Sequence, residues 1–212
     1  MADSKVDVAG WMGEAWALYK ANFALLCVAT LVAMLLAMLT CGVLGGPLWA
    51  GLVLMILRVS RKSEPAPQIG DVFKGFDFFL QALLLAVVLG VAYAVLGFLP
   101  LVGGVAGLLV APLVLFAMPL LVDRHMEFWP AIQASYEKAK SEYVGLLILT
   151  LLSALISAAG ALLCGVGVIL TAPFSAIVMV VAYRHIFEDS SAEAVPVIEA
   201  TVVEPVPEAP MA

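Results

Sequence analysis

The chain has 212 residues, of which 64% are hydrophobic and only 12% charged, with a formal net charge of −6 and a mean hydropathy of +1.12. A soluble domain carries about 25% charged residues, so a soluble globule of this composition would expose far too much apolar area. Hydrophobicity also excludes whole-chain disorder and the acidic balance excludes nucleic acid as a partner, leaving an all-α, polytopic membrane bundle whose first partner is the lipid bilayer.

Taken in chain order, the first element is amphipathic. Val8, Trp11, Met12, Ala15, Tyr19 and Phe23 recur at helical spacing, with Asp7, Glu14 and Lys20 elsewhere. Such a stripe predicts a helix lying in the membrane interface, its aromatic face in the lipid. Asp3, Asp7 and Glu14 stand where a cleavable signal peptide would be basic, so none is expected. Phe23 to Leu57 then runs for 35 residues without Asp, Glu, Lys or Arg. One crossing needs about 20 residues, so the run predicts two spans, near 23–43 and 46–61, reversing at Cys41-Gly42-Val43-Leu44-Gly45-Gly46-Pro47. It is short for two crossings, and extension past a snorkelling Arg58 supplies the missing turn. A re-entrant hairpin is the alternative.

A second amphipathic segment follows, with Ile69, Val72, Phe73, Phe76 and Leu80 on its stripe. The charge-free run from Phe78 to Val122, 45 residues, predicts spans near 78–97 and 102–122. Pro112 and Pro119 are positioned to kink the second of these. The third amphipathic segment carries Trp129, Ile132, Tyr136 and Tyr143, and the 41-residue run from Tyr143 to Tyr183 predicts spans near 143–163 and 168–187. Residues 188–212 hold six acids, no base and four prolines, which predicts a disordered acidic tail. Its Val195–Glu204 stretch is rich in β-branched residues and is the candidate site for a protein partner, by strand addition to a sheet edge.

Six spans put both termini and the loops 58–77 and 123–142 on one face. All ten Lys and Arg residues fall there. The positive-inside rule then places the termini in the cytoplasm of a bacterial inner-membrane protein.

The spans carry an internal pattern. The second helix of each pair opens with Gly46-Pro47-Leu48, Ala111-Pro112-Leu113 or Ala172-Pro173-Phe174, and eleven residues beyond each proline stand Arg58, Asp123 and Arg184. This predicts three pseudo-repeats, about 7–62, 69–127 and 128–187, each an interfacial amphipathic helix plus a helical hairpin. The Gly-Pro-Leu turn, Asp-Val-Phe-Lys-Gly-Phe at 71–76, and Ala-Pro-Leu followed by Ala-Ile-Gln-Ala-Ser at 131–135 resemble a group of bacterial six-helix membrane families. One of these is the membrane domain attached to some glycerophosphodiester phosphodiesterases. The resemblance implies topology only, because nothing in the chain resembles the phosphodiesterase catalytic domain.

Chemistry is sparse. No charged residue lies inside the three apolar runs, which disfavours driven ion or proton transport. There is no Ser-His-Asp order, phosphate-cradling glycine loop or His-Glu-x-x-His, so no enzyme is expected. Asp123-Arg124-His125-Met126-Glu127 and Arg184-His185-Ile186-Phe187-Glu188 end equivalent helices. Arg58, Arg124, His125, Arg184 and His185 are therefore the candidates for a lipid-headgroup site. Cationic side chains also simply favour helix C-termini and the inner surface. His125, Glu127, His185 and Glu188 lack the spacing of a metal motif, so no metal or other cofactor is expected. Cys41 and Cys164 occupy corresponding turns and are the one candidate disulfide. The expected function is a non-catalytic membrane scaffold or adaptor with a lipid- or protein-contacting cytoplasmic face. The alternative is a small-solute or lipid translocator using the bundle interior.

Overall fold

The computed structural model describes residues 6–98, 102–162 and 166–189, and every regular element among them is helical. Cys164 of the candidate Cys41–Cys164 pair and the tail beyond 189 lie outside the described residues. Asp7 caps α1 (Val8–Ala21) by accepting a hydrogen bond from the Gly10 N–H at 2.9 Å. At Asn22 the chain turns by 86° into α2 (Phe23–Leu39). The next helix, α3 (Gly45–Ser60), carries Pro47 in its first turn, where the missing N–H has no helical partner.

A 3-10 helix, Ile69–Phe78, follows, opened by a reciprocal capping box between Gln68 and Asp71, and leads into α4 (Phe79–Gly97). The next crossing is broken into α5 (Val102–Val114) and α6 (Ala117–Asp123). Then come α7 (Phe128–Ser141), α8 (Tyr143–Leu162), α9 (Val166–Arg184) and a π-helical turn, His185–Asp189.

Four helical stretches are long and apolar enough to cross a membrane, five if α1 and α2 count as one bent span. The shortfall from six lies in the first hairpin. With 17 residues in α2 and 16 in α3, each rises about 25 Å, short of a hydrocarbon core of about 30 Å.

The apolar helices pack as a closed cycle in chain order: α2 on α3, α3 on α4, α4 on α5, α5 on α8, α8 on α9, and α9 back on α2. Burial divides them into two groups. Helices α3, α6 and α9 form the inner packing, through residues such as Leu52, Met55, Ile56, Phe116, Leu120, Val180 and Tyr183. Helices α2, α4 and α8 turn Leu35, Leu39, Val91, Val95, Val144 and Leu155 outward, as lipid-facing helices do.

The three surface segments follow one rule. Helix α1 packs on α9, the 3-10 helix on α3, and α7 on α5 and α6. Each thus leans on the second helix of the preceding pair, taken cyclically. Their faces differ from a uniform lipid-facing stripe. Trp129 and Tyr136 of α7 and Phe73 of the 3-10 helix are exposed, but Trp11 and Tyr19 of α1 are buried against the bundle.

Pro47 lies in the first turn of α3, but Pro112 and Pro173 lie inside α5 and α9 rather than opening them, and the contacts of the surface segments concentrate near these three prolines. The Tyr19 hydroxyl donates to the Leu170 carbonyl at 2.9 Å, three residues before Pro173. The Tyr143 hydroxyl donates to the Leu109 carbonyl at 2.8 Å, three residues before Pro112. At the remaining proline backbones meet directly, and a Cβ added to Gly75 would lie 2.0 Å from the Pro47 carbonyl oxygen. The break between α5 and α6 falls just before Pro119, whose ring and missing N–H cannot continue the ladder. Ser135, fully buried on α7, repairs it. Its hydroxyl accepts from the Phe116 N–H at 3.1 Å and donates to the Leu113 carbonyl at 2.8 Å. Ser135→Ala leaves two buried backbone groups without partners and is expected to cost about 2 kcal/mol. Reversible unfolding in mixed micelles measures this; unchanged stability would show that the break does not depend on the serine.

Candidate functional site

The charged ends of the inner helices are joined by an ion-pair chain. Arg61, the residue that caps α3, forms a two-pronged pair with Asp123 at the end of α6, at 2.5 and 2.8 Å. The other side of its guanidinium binds Glu188 of the π-helical turn, with Nε at 3.0 Å. Asp123 also accepts the Tyr183 hydroxyl of α9 at 2.8 Å. From Glu188 the chain continues through Arg184 (3.3 Å) and Glu14 of α1 (3.3 Å) to His185, 2.8 Å from the same carboxylate. The His185 ring stacks on Trp11 at 5.4 Å. The hydrogen bond from Asp123, then that from Glu188, raises the proton affinity of Arg61 above its ordinary value, against the opposing effect of partial burial.

The headgroup candidates are thus drawn into the protein's own contacts. Arg58 donates to Asp71 at 2.5 Å and to the Pro65 carbonyl at 2.9 Å. Arg184 and His185 share Glu14. Arg124 lies over the Phe187 ring at 5.4 Å, and His125, in the left-handed conformation that ends α6, sits 5.1 Å from the Phe78 ring. The five do not converge on one point, because each faces the surface segment or helix end nearest to it. Arg58 and Arg184, matched by their spacing from proline, do have matched partners. Each meets a carboxylate on the surface segment of the following unit, Asp71 or Glu14. His125, Glu127, His185 and Glu188 do not gather, and among the described residues no group of three or more His, Cys, Asp or Glu is arranged around a metal position.

Beyond this rim, toward the Gly/Pro turns, the interior opens. Cavities of about 510, 180 and 120 Å³ lie around a single side chain, Trp49, which forms part of the wall of all three. The largest lies between α3, α4 and α5, bounded by Gly46, Leu89, Tyr93 and Ala111. Their linings include no charged residue. The hydroxyls among them are mostly satisfied: Thr150 and Ser153 donate to Leu146 and Leu149 carbonyls of their own helix, and Ser175 pairs with Ser157 at 2.9 Å. Among the buried hydroxyls Thr30 is the exception. Its buried oxygen has no partner among the described residues.

Two features of this arrangement escaped the sequence reading. Arg61 lacks the proline spacing that singled out Arg58, and its partners are 62 and 127 residues away. Trp49 stands two residues after Pro47 within an apolar run, and its one legible signal is a tryptophan facing the bundle rather than the cytoplasmic aromatic belt. No protein-family model, curated protein or solved structure matches the chain.

Proposed function

We propose that this is a non-catalytic, multi-pass membrane protein that admits lipid-like amphiphiles into its interior and moves them between leaflets. The observation that carries the reading is the contrast along the bundle axis. An uncharged chamber surrounds Trp49, and the inner helices are packed and tied by the Arg61–Asp123–Glu188 pairs at the other end. A passage closed at one side by ion pairs and open at the other suits a substrate that enters, then leaves when the closed side parts. The absence of charged residues within the three apolar runs fits passive rather than ion-driven movement.

The topology belongs to the same proposal. Six crossings form three units, with the short first hairpin accommodated by local bilayer thinning. The cyclic order of contacts and the matched Arg58–Asp71 and Arg184–Glu14 pairs support the repeat. With all basic residues on one face, the termini are cytoplasmic and the chamber lies toward the opposite leaflet. Alkaline phosphatase fused to the C-terminus is expected to be inactive, and an active fusion reverses the orientation.

Activity is tested in proteoliposomes carrying a fluorescent phospholipid, by the fraction of probe that dithionite reaches. The expected result is exchange between leaflets well above that of protein-free vesicles, reduced by Ala111→Phe, which fills the chamber. Exchange equal to the protein-free rate overturns the reading. Recovery of a partner that is lost on deleting 190–212 would then favour the adaptor role instead.

A further inference from the structure

The physical state of the chamber restricts what occupies it. A buried water needs two to four polar partners, and apolar cavities stay dry. Around Trp49 the protons of Thr150 and Ser153 are spent on their own helix, and Ser157 and Ser175 bind each other, which leaves the largest cavity the Tyr93 hydroxyl and the smallest the Thr30 hydroxyl, one apiece and fewer than a buried water needs. The lining offers no charge for a headgroup phosphate or an ammonium group. At about 510 Å³ the largest cavity falls within the roughly 300–1,000 Å³ of small-molecule sites. Its wall also reaches the outer surface of the bundle. Tyr93 of α4 is 40% exposed while lining the cavity. Across from it Gly107 of α5 supplies only a hydrogen, where even a Cβ would touch the Tyr93 ring at 3.4 Å. The Tyr93 ring thus lies on Gly107 and covers the seam between α4 and α5, so that one half-exposed side chain separates the cavity from the phase where hydrocarbon chains are the abundant species.

We infer that the Trp49 chamber is a binding site for one hydrocarbon chain of a bilayer lipid, entered sideways between α4 and α5 past Tyr93. This rests on the proposed translocation and specifies its substrate: the chain is what the protein holds, and the headgroup stays outside the chamber. Filling by an acyl chain removes apolar wall from an otherwise void space, and the dispersion contacts regained favour occupancy. Neither the ion-pair chain nor the candidate headgroup residues take part.

Tryptophan fluorescence tests this in the full chain, reconstituted in phosphatidylcholine vesicles with brominated or unbrominated acyl chains. The chain has four tryptophans, so the Trp49 signal is taken as the difference between the native protein and Trp49→Phe. A chain reduced to Trp49 alone by W11F, W16F and W129F provides the check. Expected is a loss of Trp49 emission in brominated vesicles, none with aqueous acrylamide, and protection from bromine by Ala111→Phe. Quenching by acrylamide overturns the inference in favour of a water-filled chamber. Emission indifferent to both quenchers overturns it in favour of an empty one. The outcomes separate from those of the exchange assay: bromine quenching without lipid exchange leaves a binding site in a protein that does not translocate, and exchange without quenching places the path elsewhere.

Discussion

Gly51→Ala is expected to be the most damaging single-methyl change in the protein. A Cβ at this position would lie 1.7 Å from the Val72 carbonyl oxygen and 2.6 Å from its carbon. Those atoms are backbone, so no side-chain rotation relieves the clash. On the opposing surface Gly75 approaches the Gly51 nitrogen to 2.4 Å, measured from its own added Cβ. The 3-10 helix would have to lift from α3, withdrawing buried Val72 and straining the Arg58–Asp71 pair at 2.5 Å. Overpacking ordinarily costs 1–3 kcal/mol. With backbone on both sides, about 3 kcal/mol or more is expected, read as a lower unfolding midpoint in mixed micelles. Gly13→Ala is the control, since nothing lies within 4 Å of its added Cβ and alanine favours a helix over glycine. Equal behaviour of the two variants would show that the close approach of α3 and the 3-10 helix is not what holds this face together.

The second large effect is expected at Asp123. Its side chain is 17% exposed and that of Arg61 is 35% exposed, so the pair is partly desolvated. Asp123→Ala removes the carboxylate from both the Arg61 guanidinium and the Tyr183 hydroxyl. Breaking a fully buried pair costs 3–5 kcal/mol by leaving a charge uncompensated. Arg61 keeps Glu188 and some water, which reduces the expected loss to about 2 kcal/mol. Asp123→Asn retains an acceptor for Tyr183 and is expected to cost less. A double-mutant cycle of Arg61→Gln with Asp123→Asn isolates the pair, with a coupling of about 1 kcal/mol or more expected. Simple additivity would mean that the ends of α3 and α6 meet without being held by these charges. If the rim closes the chamber, the same variants raise lipid exchange even as they lower stability.

Much of the secondary structure was legible. The aromatic residues Phe23 and Tyr143 mark the starts of α2 and α8, and the Gly/Pro clusters mark the reversals. Pro112 and Pro119 announced a kink in the fourth span. The structure places the break at Leu115–Phe116, where α7 brings a serine to receive it. That choice depends on Ser135, 19 residues away, and no local pattern encodes it. The rim is a similar case. Arg58 and Arg184 announced themselves by spacing, but Arg61 became the hub only because α6 and the π-helical turn end beside it.

The sequence by itself determined that the chain is helical and rich in apolar segments fit to cross a membrane, that its charges lie outside the apolar runs, and where most of the long helices begin. These follow from hydropathy, charge placement and turn chemistry, all local properties. It did not determine which face of each helix looks inward. In a bilayer the lipid is as apolar as the core, so leucine and valine are written alike on both sides, and only two amphipathic surface segments kept their aromatic faces outward. Tertiary structure decided that, and with it the cyclic packing, the partners of the arginines and the chamber at Trp49. The deciding interactions are close backbone approaches at glycines and single hydrogen bonds to helix carbonyls just before the prolines, made between residues far apart in the chain.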